Sequence, residues 1–206
     1  MMRGSLRALS ATTLLSMASV ASLATASAAA DFTPLPQIER VMVTVPKPVA
    51  DFQLTAQDGK PLRLSALHGR PVLVFFGFAH CPDVCPMALQ KLSALQKSAA
   101  KEMKGVRVVM ISIDGDRDTP EAMRDYLRAF SPDFIGLTGP IGDVREIATQ
   151  FSATFFKDAP KSDGNYAVEH TARVFALDRK GRLRAELYDA SAEATGQVVR
   201  ALLAER

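Results

Sequence analysis

The chain has 206 residues, 48% of them hydrophobic, with 25 Lys and Arg against 22 Asp and Glu and a formal net charge of +3. That length supports one well-cored domain and requires no second. Two of the positive charges, Arg3 and Arg7, lie in the first thirty residues, and there is no run of like charges, so the basic balance implies no nucleic-acid surface.

The first segment, residues 1–30, follows its two arginines with an uncharged stretch rich in Ala, Ser, Leu and Thr that ends in Ala28-Ala29-Ala30. This small-x-small ending predicts an export signal peptide, cleaved to leave Asp31 first. The same stretch has the length to span a bilayer, so an uncleaved N-terminal membrane anchor is the alternative. Either way the folded part is expected in the periplasm, on the extracytoplasmic side of the inner membrane, where disulfides persist. Residues 31–50 carry Pro34, Pro36, Pro46 and Pro48 and read as an extended spacer. The domain is expected to occupy residues 51–206.

Phe52-Gln53-Leu54 and Leu62-Arg63-Leu64 flank Asp58-Gly59, which predicts an N-terminal hairpin. The apolar run 72–78 predicts a buried strand, and a helix is expected from Pro86 to about Met103. A second buried strand, 106–113, ends in Asp114-Gly115-Asp116-Arg117-Asp118-Thr119-Pro120. There Thr119 suits a helix cap and Pro120 the first helical position. A short strand near 134–137, a helix over 141–151, a polar loop over 157–165, a hairpin over 171–188 around Asp178-Arg179-Lys180-Gly181, and a helix over 191–206 follow. This order predicts an α/β fold with a central mixed β-sheet flanked by helices, and it suits a thioredoxin-like arrangement.

The sulfur chemistry is confined to Cys81-Pro82-Asp83-Val84-Cys85-Pro86, because the chain has two cysteines. A loop leading from the carboxyl end of a buried strand into a helix is where open α/β sheets place reactive groups. The prolines predict that Cys81 and Cys85 are both non-helical, with Cys85 at the cap. A helix N-terminus favours thiolate, the form that binds metals and attacks disulfides. The C-x-x-x-C spacing is one residue longer than the redox motif C-x-x-C, an argument for chelation. A disulfide closing so short a loop would constrain little of the unfolded chain.

Phe76-Gly77-Phe78-Ala79-His80-Cys81-Pro82-Asp83-Val84-Cys85-Pro86 resembles the Sco/SenC family, the copper proteins of cytochrome c oxidase assembly. Two further stretches resemble family segments in order: Ile113-Asp114-Gly115-Asp116-Arg117-Asp118-Thr119-Pro120 and Tyr166-Ala167-Val168-Glu169-His170-Thr171. The resemblance implies a thioredoxin-like fold in which Cys81, Cys85 and His170 hold one copper ion. The chain departs from the pattern at Gly115 (usually Pro), Glu169 (usually Asp), Ala79 (commonly Thr) and Phe155-Phe156 (a region tending to Tyr); none of these is a ligand.

Two thiolates and an imidazole form a soft, mixed donor set suited to both Cu(I) and Cu(II), whereas a closed structural zinc site wants four ligands. The expected function is a copper metallochaperone, not an enzyme, that delivers copper to subunit II of cytochrome c oxidase. A periplasmic copper donor and a thiol reductant are expected as further partners. The alternative is an extracytoplasmic thiol-disulfide oxidoreductase acting through Cys81 and Cys85 on the recipient's cysteines. Taken alone, His170 reads equally as an ordinary polar histidine. His80 reads as a surface or electrostatic group because neighbouring side chains in an extended loop diverge. His68 is expected in a loop, Met87 as a core methionine, and Asp114, Arg117 and Asp118 as a charged network near the site.

Overall fold

The computed structural model describes residues 41–160, 162, 166–189 and 191–205. The expected leader and residues 31–40 of the expected spacer lie outside them. The elements are β1 (Val41–Pro48), β2 (Gln53–Ala56), β3 (Pro61–Arg63), β4 (Val72–Gly77), α1 (Val84–Ser98), α2 (Ala100–Met103), β5 (Arg107–Ser112), α3 (Pro120–Arg128), β6 (Ile135–Thr138), α4 (Ile141–Gln150), β7 (Phe155–Lys157), β8 (Val168–His170), β9 (Arg173–Leu177), β10 (Arg182–Tyr188) and α5 (Ala192–Ala204).

Eight strands form one mixed sheet in the order β1-β10-β9-β4-β5-β6-β2-β3. Its centre is parallel, β4 with β5 and β5 with β6, while β9 lies antiparallel against β4. All six residues of β4 are buried, as a strand covered on both faces requires. α1 crosses from β4 to β5 and α3 from β5 to β6, and Ser93 Oγ of α1 donates to the Phe130 carbonyl just after α3 at 2.7 Å, so the two helices share one face, as crossovers of one hand require. There Leu127 and Met123 of α3 close over Gly136, and α5 packs beside α1. The other face is sealed by the end of α4. Phe76, Phe151 and Phe175 meet there edge to face, with centroids 5.3–5.9 Å apart.

Local chemistry sets the boundaries. Thr119 caps α3 by accepting from the Ala122 amide at 3.2 Å, with Pro120 at the first helical position. Ser191 caps α5 in the same way. The turn joining β9 to β10 is closed by Asp178, whose Oδ1 accepts from the Lys180 and Arg182 amides, and Gly181 takes the φ of +75° that the turn demands. The helix expected to run unbroken from Pro86 to Met103 is divided at Ala99 (φ −123°) into α1 and α2.

The expected spacer needs correction. Within residues 31–50, Val41–Pro48 is a strand that pairs antiparallel with β10, so the sheet begins ten residues before Asp51. Its prolines are tolerated because β1 is an edge strand, where a missing amide donor breaks no second ladder. The register also slips between Val43 and Lys47, which absorbs Pro46.

The aromatic trio predicts a stability contrast. Phe76→Ala is expected to lower unfolding free energy by about 3–5 kcal/mol in urea titration. Val45→Ala on the exposed edge should change it by no more than about 0.5 kcal/mol. Equal losses would mean that the face sealed by α4 is not part of the core.

Candidate metal centre

The site forms beyond the carboxyl end of β4. After Gly77 the chain turns so that the Cys81 amide donates to the Phe78 carbonyl at 3.2 Å, and α1 begins at Val84. Cys81 is non-helical as expected, but Cys85 is not at the cap: it is the second residue of α1, and Asp83 is the cap. Pro86 costs nothing at the third position because first-turn amides lack intrahelical partners, and the carbonyl its ring would strike belongs to residue 82, outside the helix.

This earlier start turns Cys85 inward. Its side chain is fully buried against β4, where a Cβ on Gly77 would lie 3.0 Å from Sγ and 2.5 Å from the Phe75 ring. Only glycine leaves room for the sulfur. Cys81 stays nearer the rim, at 9% exposure, and both cysteines are free thiols.

His170 arrives from a different part of the chain. It ends β8, which pairs with β7 in a two-stranded ribbon, so Lys157, expected to open the polar loop, ends a strand instead. Phe155 stands opposite His170, and the ribbon is tied below by the Thr171 amide donating to the Thr154 carbonyl at 2.9 Å. The imidazole meets Phe75 and Phe78 edge-on, at 6.1 and 6.0 Å between centroids. Its Nε2 lies 3.4 Å from Cys85 Sγ, and one donor atom each from Cys81, Cys85 and His170 falls within a 4.8 Å span. The three residues expected from sequence are thus brought together.

Burial governs their protonation. It pushes the Cys85 thiol far above its ordinary range, against a hydrogen bond with the Phe78 backbone, while Cys81 and the Asp118 carboxylate add to the rise. Burial also pulls the His170 pKa down. Both groups are therefore neutral at pH 7, the Cys85 sulfur and His170 Nε2 lie within hydrogen-bond reach of each other, and Nδ1 remains buried without a hydrogen-bond partner. A neutral imidazole with an unsatisfied nitrogen, next to two thiols, is a donor set that fits a soft or borderline cation.

A carboxylate network braces this arrangement. Asp114 accepts from Arg117 Nε and from the Tyr166 hydroxyl, both at 2.5 Å, and Lys157 lies 3.8 Å away. Tyr166 is held between two cations, with Arg117 Cζ at 3.7 Å and Lys157 Nζ at 4.0 Å from its ring centroid. Asp118 Oδ2 accepts from Ser112 Oγ at 2.6 Å and from the Ala79 amide at 3.1 Å. Burial raises its pKa against those hydrogen bonds. The expected Asp114, Arg117 and Asp118 cluster is present; the part of Tyr166 in it went unread, although its spacing from His170 was visible.

A cavity of about 670 Å³ opens over the group, lined in part by Phe78, His80, Cys81, Arg117, Tyr166 and His170. His80 stands at its rim. Met87, expected in the core, is instead 46% exposed, because the inward turn of Cys85 carries it to the outer side of α1. His68 lies against Gly181 in the turn between β9 and β10.

The SCO1/SenC family model matches residues 43–204. The chain belongs to the SCO1/SenC family. An SCO2-like protein of Rickettsia conorii is 33% identical over 139 residues, 67% of this chain and 68% of that protein. The structure of Bradyrhizobium japonicum ScoI with copper bound is 36% identical, with a TM-score of 0.68 over 74% of this chain and 98% of that one. The solution structure of apo Sco1 from Thermus thermophilus is 42% identical, with a TM-score of 0.67 over 78% of this chain and 92% of that one. The fold is thioredoxin-like, as these family members are. The match begins within β1, which agrees with counting that strand in the family domain.

The contrast between the thiols is measurable. At pH 8 iodoacetamide should modify Cys85 at least about tenfold more slowly than Cys81 in the folded, metal-free chain, because Cys85 is both inaccessible and held as the thiol. Mass mapping checks this, and the two rates should converge in urea. Equal rates in the folded chain would contradict the inward placement of Cys85.

Proposed function

We propose that this chain is a copper metallochaperone that carries one copper ion on Cys81, Cys85 and His170 and delivers it to subunit II of cytochrome c oxidase. The observation that carries this reading is the S₂N group within 4.8 Å, set under an open cavity. The copper-bound relative of 36% identity and similar fold supports the choice of metal. The pocket supplies two sulfur donors for Cu(I) and one nitrogen donor that helps accept Cu(II). Phe75 and Phe78 fix the imidazole, and Gly77 makes room for the Cys85 sulfur. Three donors leave a position for an incoming ligand of the recipient.

Loading requires that two thiol protons leave as two sulfur–copper bonds form. The periplasm is the proposed location, reached through the leader or with the leader retained as a membrane attachment. A periplasmic donor supplies the copper, and a thiol reductant keeps the pair reduced where disulfides otherwise persist. Among the described residues no helix is long and apolar enough to cross a membrane.

The oxidoreductase alternative is favoured by one observation: two free thiols lie close together, Cys81 on the loop and Cys85 in the first turn of α1. Against it, the C-terminal thiol of the pair is buried and held protonated. The two readings separate on one sample. Stoichiometric copper transfer to a soluble subunit II domain with negligible disulfide turnover is the expected result; rapid catalytic turnover without transfer would sink the chaperone reading.

Each ligand has its own expected signature. Cys81→Ser and Cys85→Ser should each abolish tight Cu(I) binding in competition with a chromophoric chelator, at one copper per wild-type chain. His170→Ala should weaken Cu(II) more than Cu(I), since nitrogen matters more to the harder ion. Affinity should fall as pH drops, because protons compete for every donor. Wild-type affinity in either serine variant would show the two-thiolate site to be wrong.

A further inference from the structure

The copper-carrier reading leaves the route unexplained. Cys85 has no solvent exposure and Cys81 has 9%, so an ion arriving from a donor cannot engage both sulfurs at once. Ligand exchange on copper proceeds one bond at a time. A first, exposed donor at the cavity rim would provide the initial bond.

His80 has the features of such a donor. It lines the same cavity as Cys81 and His170, and its side chain is 55% exposed. Its Nδ1 faces Asp118 Oδ1 at 3.6 Å. Asp118 is fully buried; its Oδ2 is satisfied by Ser112 and Ala79, whereas its Oδ1 has no hydrogen-bond partner. A buried carboxylate oxygen without a partner demands an explanation, and the imidazole it faces supplies one. Histidines that bind metals typically turn their second nitrogen toward a carboxylate, which fixes the ring and leaves the other nitrogen for the ion.

The nearby Asp114 does not extend this into a closed second site. Its donor atom lies within 4.8 Å of those of His80 and Asp118, but Arg117, Tyr166 and Lys157 already surround its carboxylate. One open nitrogen with a buried carboxylate behind it suits a transient contact rather than a resting place.

We propose that His80 is the rim ligand of this protein: its Nε2 takes copper as the ion enters and releases it to Cys81, Cys85 and His170, with Asp118 orienting the ring. The inference rests on the copper-carrier reading and adds the path. No electron moves in the step. Each exchange forms one copper–ligand bond and breaks another, and the thiol protons pass to solvent.

Two measurements on the full chain test it. In the first, the reduced protein is mixed with Cu(I)–bicinchoninate in a stopped-flow instrument, and loss of the chelate's absorbance reports uptake. His80→Ala should slow uptake about tenfold or more, by a larger factor than any change in its final extent. His68→Ala should follow wild type. Uptake by His80→Ala at the wild-type rate would overturn the proposal, whereas failure of the wild type to take copper at all would overturn the carrier reading instead.

The second measurement does not depend on the thiols. A Cys81→Ser/Cys85→Ser/His170→Ala chain is given Cu(II) alone, and pulsed electron paramagnetic resonance reads imidazole nitrogen coupling. The coupling should be present and should vanish when His80→Ala is added. Its absence at the start, or its survival without His80, overturns the assignment.

Discussion

The packing of one sulfur against one glycine governs the rest of the site. Cys85 Sγ occupies the space that a side chain at Gly77 would fill, at the end of the most buried strand of the sheet. This contact fixes how deeply α1 sits on β4 and therefore where the helix begins. It also sets the chemical state of the pocket, because a thiol so far from water resists ionisation and the imidazole beside it resists protonation. Cys85 and His170 are thus uncharged in the metal-free pocket, and the charged groups stand beside them.

Those neighbouring charges, two of them buried carboxylates, join segments that are distant in sequence. The loop between β5 and α3 carries Asp114 and Asp118. Asp114 holds Tyr166, four residues before His170, while Asp118 holds the Ala79 amide, two residues before Cys81. Two carboxylates on one loop thus position both the sulfur-bearing turn and the nitrogen-bearing ribbon. Gly115 permits this, since a Cβ there would lie 2.4 Å from the Gly139 carbonyl oxygen. Its substitution for the family's usual proline suits the close approach of these two loops in this chain.

What was legible in the sequence follows from the range of the forces involved. Strands β4 and β5 announce themselves as continuous apolar runs, and α3 and α5 by hydroxyl caps, all local signals. The β1 strand was hidden because Pro46 and Pro48 argue against a strand unless its edge position is known, and β10 lies some 140 residues away in sequence. The ribbon of β7 and β8 was hidden because three residues per strand show no periodicity. Cys85 was placed at the cap from proline's local preference, and tertiary packing on Gly77 overrode it. The donor residues themselves were legible through motif order, but their convergence depended on the ribbon that periodicity could not reveal.

The neutrality of Cys85 and His170 has an electrostatic corollary for the proposed cargo. Binding Cu(II) with loss of two thiol protons changes the net charge of the pocket by nothing. Binding Cu(I) with the same loss leaves one net negative charge in an apolar surrounding, which is costly unless positive charge stands near. Arg117 lies over the Phe78 and Tyr166 rings at the cavity wall, with Lys157 beyond Tyr166, so the cations lie on the side where compensation is needed. Both are already engaged by Asp114 and Asp116, however, which limits what they add. On the copper-carrier reading proposed above, this balance suits either oxidation state without clamping it, through soft donors for one and charge neutrality for the other. That compromise is suited to a carrier, for which release matters as much as capture.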